Sequence, residues 1–160
     1  MTLILYFGHF GTTKKVAEIL KGYLPDSVCI DGSNYKKINF NDYNQIIFGS
    51  NIRDSKLNKR FLKFYKKYEK FNYVAETYAY ICSADENKAN EYINLMKNTT
   101  GIKNVIFAGG ELNLENARGL SKSVIRMCIE DFNRKGLVLP QIKDSNLKEL
   151  SEIVKFNYKP

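Results

Sequence analysis

Leu3-Ile4-Leu5-Tyr6-Phe7-Gly8-His9-Phe10-Gly11-Thr12-Thr13 carries an unbroken apolar run into a turn with two glycines, and a helical pattern follows at once. A short apolar run without polar alternation reads as a strand buried on both faces, the signature of a parallel sheet. Beyond the turn, Val16, Leu20, Tyr23 and Leu24 share one helical face. Strand, tight turn and helix in that order open a βαβ unit.

The same alternation continues along the chain. Further strand-like runs lie at Ser27-Val-Cys-Ile30, Gln45-Ile-Ile-Phe48, Tyr78-Ala-Tyr-Ile-Cys82 and Val105-Ile-Phe-Ala108. Helical faces are formed by Leu57, Phe61, Phe64, Tyr65 and Tyr68, by Ala89, Tyr92, Ile93 and Met96, by Leu120, Val124, Ile125 and Cys128, and by Leu147, Leu150 and Val154. The crossover at 31–44 is the exception: Asp31-Gly-Ser-Asn34 reads as a turn, and Ile38, Phe40 and Tyr43 suggest a short irregular helix. Right-handed crossovers turn this pattern into a three-layer α/β/α sandwich around a five-stranded parallel sheet. The order 2-1-3-4-5 places a ligand crevice at the carboxyl ends of strands 1 and 3.

At 160 residues, with 44% hydrophobic and 26% charged residues, one domain spanning 1–160 is expected. Glycine and proline together number 13, too few for a collagen-like or low-complexity chain. No apolar run approaches the roughly 20 residues of a membrane span, and the first residues lack the basic start of a signal peptide. The expectation is a cytoplasmic protein. Cys29, Cys82 and Cys128 lie in apolar stretches without C-x-x-C spacing and are expected to be buried thiols. With His9 as the single histidine, no metal site is expected.

The turn after strand 1 carries the chemistry. Gly8 and Gly11 allow the backbone a tight bend, the following helix offers unpaired N–H groups at its positive end, and Thr12 and Thr13 add hydroxyls. Together they read as a phosphate cradle, against the plainer alternative of a strand-to-helix turn with a threonine cap. The spacing G-x-x-G-T-T-K matches neither a P-loop nor the Rossmann fingerprint, although Asp31 lies where a ribose-binding acid would sit. A phospho-receiver would need acids where Gly8, His9 and Ser50 stand.

On these residues the chain resembles the flavodoxin family, whose FMN-phosphate loop reads [ST]-x-T-G-x-T. Aligned on Gly11, Thr13 matches the last hydroxyl, while Gly8 and Phe10 replace two others. Three segments resemble more closely the flavodoxin-like, menaquinone-dependent protoporphyrinogen oxidases: Tyr6 through Ala17, Phe48-Gly-Ser-Asn-Ile-Arg53, and Phe107-Ala-Gly-Gly-Glu-Leu112 with Arg126 beyond. The region 84–104 looks shorter than in the porphyrinogen-oxidising members. The resemblance implies FMN as cofactor. Its phosphate would lie at Gly8, His9, Phe10, Gly11, Thr12 and Thr13, and its ring edge at Ser50, Asn51, Ile52 and Arg53 and at Ser83, Ala84, Asp85 and Glu86. Arg53 reads either as an anion clamp or as a solvated loop residue. No general acid or base is assigned. The implied activity is an FMN-dependent oxidoreductase passing electrons to a quinone. The alternatives are a flavodoxin-type electron carrier serving a redox protein and, in another class, a basic flavin-free interaction module.

The net charge of +8 favours anionic partners. Residues 56–70 hold Lys56, Lys59, Arg60, Lys63, Lys66, Lys67 and Lys70 against the single acid Glu69, and the basic positions fall opposite the apolar ones. That face reads either as plain solvated surface or as an attachment to an anionic membrane, on its inner side. Nucleic acid is not expected, because the interleaved aromatics lie on the core face and no nucleic-acid motif is present.

Overall fold

The computed structural model describes residues 1–158. Five strands, β1 (Thr2–Phe7), β2 (Ser27–Asp31), β3 (Gln45–Arg53), β5 (Glu76–Cys82) and β6 (Asn104–Gly109), form a parallel sheet in the order β2-β1-β3-β5-β6. A two-residue strand, β4 (Lys56–Leu57), folds back antiparallel on the end of β3 and stands outside that order. Leaving β4 aside, this is the expected 2-1-3-4-5 arrangement.

Alternate residues of each strand feed opposite layers, because successive side chains point to opposite faces. Leu3, Leu5, Ile46, Phe48, Ala79 and Ile81 pack beneath α2 (Lys59–Tyr68) and α3 (Ala89–Thr100). Ile4, Ile47, Tyr78 and Tyr80 pack beneath α1 (Thr12–Tyr23) and α5 (Asp144–Phe156). The first layer is largely aromatic: Phe48, itself 0% exposed, lies within 5.2–6.2 Å of the rings of Phe61, Phe64, Tyr65 and Tyr68. The crossover at 31–44 forms two short 3₁₀ turns, Gly32–Lys37 and Phe40–Asp42, and Phe40 packs against Phe64, Tyr68 and Tyr73.

Three expectations are corrected. Leu57 is buried but belongs to β4, not to the helix, which begins only after Asn58. The helix carrying Leu120, Val124, Ile125 and Cys128, α4 (Leu120–Arg134), exists but has no fully buried residue; Leu120 and Val124 are 88% and 58% exposed. The reason is spatial: α3 and α5 already cover both faces of the edge strand β6, so no sheet surface remains for α4. Of the three thiols only Cys82 is buried, and its burial pushes the thiol up to about 12; Cys29 and Cys128 are half-buried. No helix among the described residues is long and apolar enough to cross a membrane.

Candidate functional site

The candidate site lies at the carboxyl ends of β1, β3 and β5, the switch point of the sheet. Gly11 ends the turn after β1 as the N-cap of α1, in the left-handed region at φ +89°. A glycine cap brings no side chain to the first N–H groups of α1, and no acid lies in its first turn. Those donors and the positive end of the helix dipole are therefore left for an external anion. Gly8 is required for a different reason. A Cβ there would lie 2.6 Å from Thr13 Oγ1.

Thr12 and Thr13 differ in access. Thr12 is half-buried, whereas Thr13 is only 2% exposed, its side chain packed against Gly8 and its carbonyl accepting from Tyr80 Oη at 2.8 Å. Thr13 thus anchors the turn to the sheet. His9 is exposed at the rim with Phe10 beside it, their ring centroids 6.2 Å apart. Partial desolvation and then the positive charges of Arg60 and Arg53 hold the His9 imidazole below its ordinary range.

The Ser50 to Arg53 segment is the last part of β3 and the first arm of a hairpin. Ile52 pairs with Leu57 and Arg53 with Lys56 around Asp54 and Ser55, both at positive φ. Ser50 is fully buried, with its hydroxyl accepting from the Asn58 N–H at 3.2 Å and donating to the Asn51 carbonyl at 3.1 Å. Asn58 Nδ2 donates to Asn51 Oδ1 at 2.7 Å, while Asn58 Oδ1 caps α2 by accepting from the Arg60 and Phe61 N–H groups. This network ties the hairpin to the start of α2. Arg53 projects outward, its side chain 60% exposed and its Nε 3.9 Å from Asp54.

Ser83, Ala84, Asp85 and Glu86 follow β5 and are braced from behind. Ser83 N–H donates to the Gly109 carbonyl at 3.0 Å, Asp85 N–H donates to Ser83 Oγ at 3.2 Å, and Glu86 pairs with Lys143 at 2.8 Å. Gly110 lies so close to the Ser83 backbone that a Cβ would meet it at 2.5 Å. The three sequence-predicted segments therefore stand at the ends of adjacent strands.

Residues outside the predicted site complete the surroundings. Arg60, at the second position of α2, reaches back so that Nη2 donates to the Gly8 carbonyl at 3.0 Å. Asn116 comes over from the segment after β6 and donates to the Phe10 carbonyl at 3.4 Å, and Glu111 of that segment pairs with Lys15 of α1 at 2.8 Å. Asn58 had a local signal, an asparagine just ahead of a helical pattern. Arg60 and Asn116 had none, because only the fold brings α2 and the 110–119 segment to the first turn.

A family model for the flavodoxin domain matches residues 3–135. The fold is similar to that of a Fusobacterium nucleatum flavodoxin bound to flavin mononucleotide, with TM-score 0.60, 9% identity, and 99% of this chain and 98% of that one covered. It is also similar to a Lactobacillus acidophilus NCFM flavoprotein in complex with FMN, with TM-score 0.54, 23% identity and coverage of 66% and 89%. Oxidised Flavodoxin 2 from Bacillus cereus gives TM-score 0.53, 18% identity and coverage of 84% and 98%. No curated protein matches the sequence. Identities this low speak for the fold alone, but the family match spans most of the chain and covers both the cradle turn and the strand ends around it, so this chain belongs to the flavodoxin domain family.

Proposed function

We propose that this protein binds FMN noncovalently in the crevice and works as an electron-transferring oxidoreductase. The observation that carries this reading is the uncapped N-terminus of α1, opened by Gly11 at φ +89° at the switch point of a flavodoxin-type sheet. The residues present fit the group. Gly11 brings no side chain to the first N–H groups of α1, no acid occupies its first turn, and Arg60 reaches the loop at the Gly8 carbonyl. Bound FMN would supply the redox chemistry, while the chain supplies orientation and electrostatics. Gly8 to Thr13 hold the phosphate in this reading; Ser50 to Arg53 and Ser83 to Glu86 line the ring edge.

The finer reading is an enzyme resembling quinone-dependent protoporphyrinogen oxidase. Its support is the three sequence segments together with the absence of any aromatic residue from 50–53 and 83–86. A ring face not covered by these segments is open to a planar substrate or quinone. The second reading, an electron carrier serving a redox protein, is favoured by the family match itself. Titration with FMN is expected to quench flavin fluorescence and yield a bound-flavin absorbance band. No binding at high micromolar FMN would overturn the cofactor and leave the basic interaction module. Oxidation of protoporphyrinogen with menaquinone as acceptor is expected of the enzyme; reduction by a flavodoxin reductase without either reaction would select the carrier.

The basic face of α2 supports peripheral attachment of a cytoplasmic protein to an anionic membrane. Lys59, Lys63, Lys66 and Lys67 are all exposed, opposite buried Phe61, Phe64, Tyr65 and Tyr68. Each lysine near such a surface contributes about 1 kcal/mol. Reversal of these four lysines to glutamate is expected to reduce binding to phosphatidylserine vesicles at least tenfold and to leave FMN affinity intact. Added salt should weaken the wild-type interaction. A wild-type protein that ignores such vesicles at low salt would reduce this face to solvated surface.

A further inference from the structure

We infer that Arg60 is the residue by which this chain selects a phosphorylated flavin over the unphosphorylated one, an inference that rests on the FMN reading. The cradle is short of donors for a doubly charged phosphate. Gly8 and Phe10 bring no hydroxyl, and Thr13 is only 2% exposed. What remains are the Thr12 hydroxyl, the first N–H groups of α1 and a helix end equivalent to about half a positive charge.

Arg60 is placed to supply the missing charge. The Asn58 cap fixes the start of α2, and the bond from Arg60 Nη2 to the Gly8 carbonyl holds the guanidinium at the rim of the turn. A guanidinium has five N–H donors and stays charged at any working pH. Among the described residues no carboxylate forms an ion pair with it. Its charge also reaches the loop, since it is one of the two arginines that lower the His9 imidazole. A residue that merely tied α2 to the turn would affect both flavins equally. An arginine aimed at phosphate affects only FMN.

The test compares FMN and riboflavin binding by wild type, Arg60→Gln and Arg60→Lys, with thermal melts as a check on folding. Charge-assisted hydrogen bonds to phosphate are strong enough that Arg60→Gln should weaken FMN about 10- to 100-fold. Riboflavin should change less than twofold, and Arg60→Lys should recover part of the FMN affinity. Equal loss for both flavins, or no loss for FMN, would overturn the inference while leaving the FMN reading intact.

If wild type binds no flavin, the FMN reading fails, and the single histidine then decides the inference separately. Inorganic phosphate is expected to raise the His9 imidazole pKa, read by NMR, in wild type but not in Arg60→Gln. Without phosphate, Arg60→Gln should itself raise that pKa, because a neighbouring positive charge opposes protonation. A wild-type His9 indifferent to phosphate would overturn the role of Arg60 as well.

Discussion

Gly49→Ala is expected to lower the melting temperature by about 10 °C, corresponding to roughly 3 kcal/mol for a chain of this size. Gly49 sits in β3, directly opposite Tyr80 of β5. The Tyr80 ring occupies the space a side chain would need: a Cβ at Gly49 would lie 2.1 Å from Tyr80 Cζ and 2.2 Å from its hydroxyl oxygen. Tyr80 is fully buried and cannot swing into solvent. Any displacement also breaks its 2.8 Å hydrogen bond to the Thr13 carbonyl. Overpacking costs about 1–3 kcal/mol, and an unsatisfied buried partner adds about 1–2 kcal/mol. Because Thr13 belongs to the cradle turn, the same substitution should weaken FMN even below the melting transition. Thermal denaturation with and without FMN measures both effects; an unchanged melting temperature would mean that Tyr80 has an alternative place in the core.

Gly11→Val is expected to act mainly on binding, with about 100-fold weaker FMN affinity and a stability loss of about 1–3 kcal/mol. At φ +89° a β-branched residue is strained by about 1–3 kcal/mol. Its Cβ would also stand 2.8 Å from Asn116 Nδ2. The asparagine is exposed and can retreat, so the fold tolerates the change. The first N–H groups of α1 cannot keep their aim once Gly11 leaves the left-handed region. Flavin fluorescence titration reads the loss. Unaltered FMN affinity would remove this turn from the phosphate site and with it the central argument for the cofactor.

The contrast between these glycines shows which parts of the molecule are legible without coordinates. Sequence by itself determined the sheet, because runs such as Leu3 to Phe7 and Gln45 to Phe48 lack the alternation of a half-exposed strand and can be buried only between two helical layers. It also determined the glycine and threonine composition of the first turn, and the split of residues 59–68 into basic and aromatic faces. These are local periodicities, readable from neighbours along the chain.

Tertiary structure decided what depends on competition for space or on distant approach. Leu57 fits the apolar face of α2 by spacing, yet β4 captures it because the end of β3 offers a free edge. The stripe Leu120, Val124, Ile125 and Cys128 has the period of a core helix, but α3 and α5 had already filled both sides of β6. Thr13 matches a phosphate-binding hydroxyl in the turn motif, and the fold buries it, its carbonyl held by the Tyr80 hydroxyl. Arg60 looks like one more cation on a basic helix until the parallel pairing of β1 with β3 brings the start of α2 beside Gly8. A periodic pattern states that a face must be buried or a donor must be free. Which surface buries it, and which charge stands over the donor, follow from how whole elements compete for neighbours, and no local periodicity encodes that.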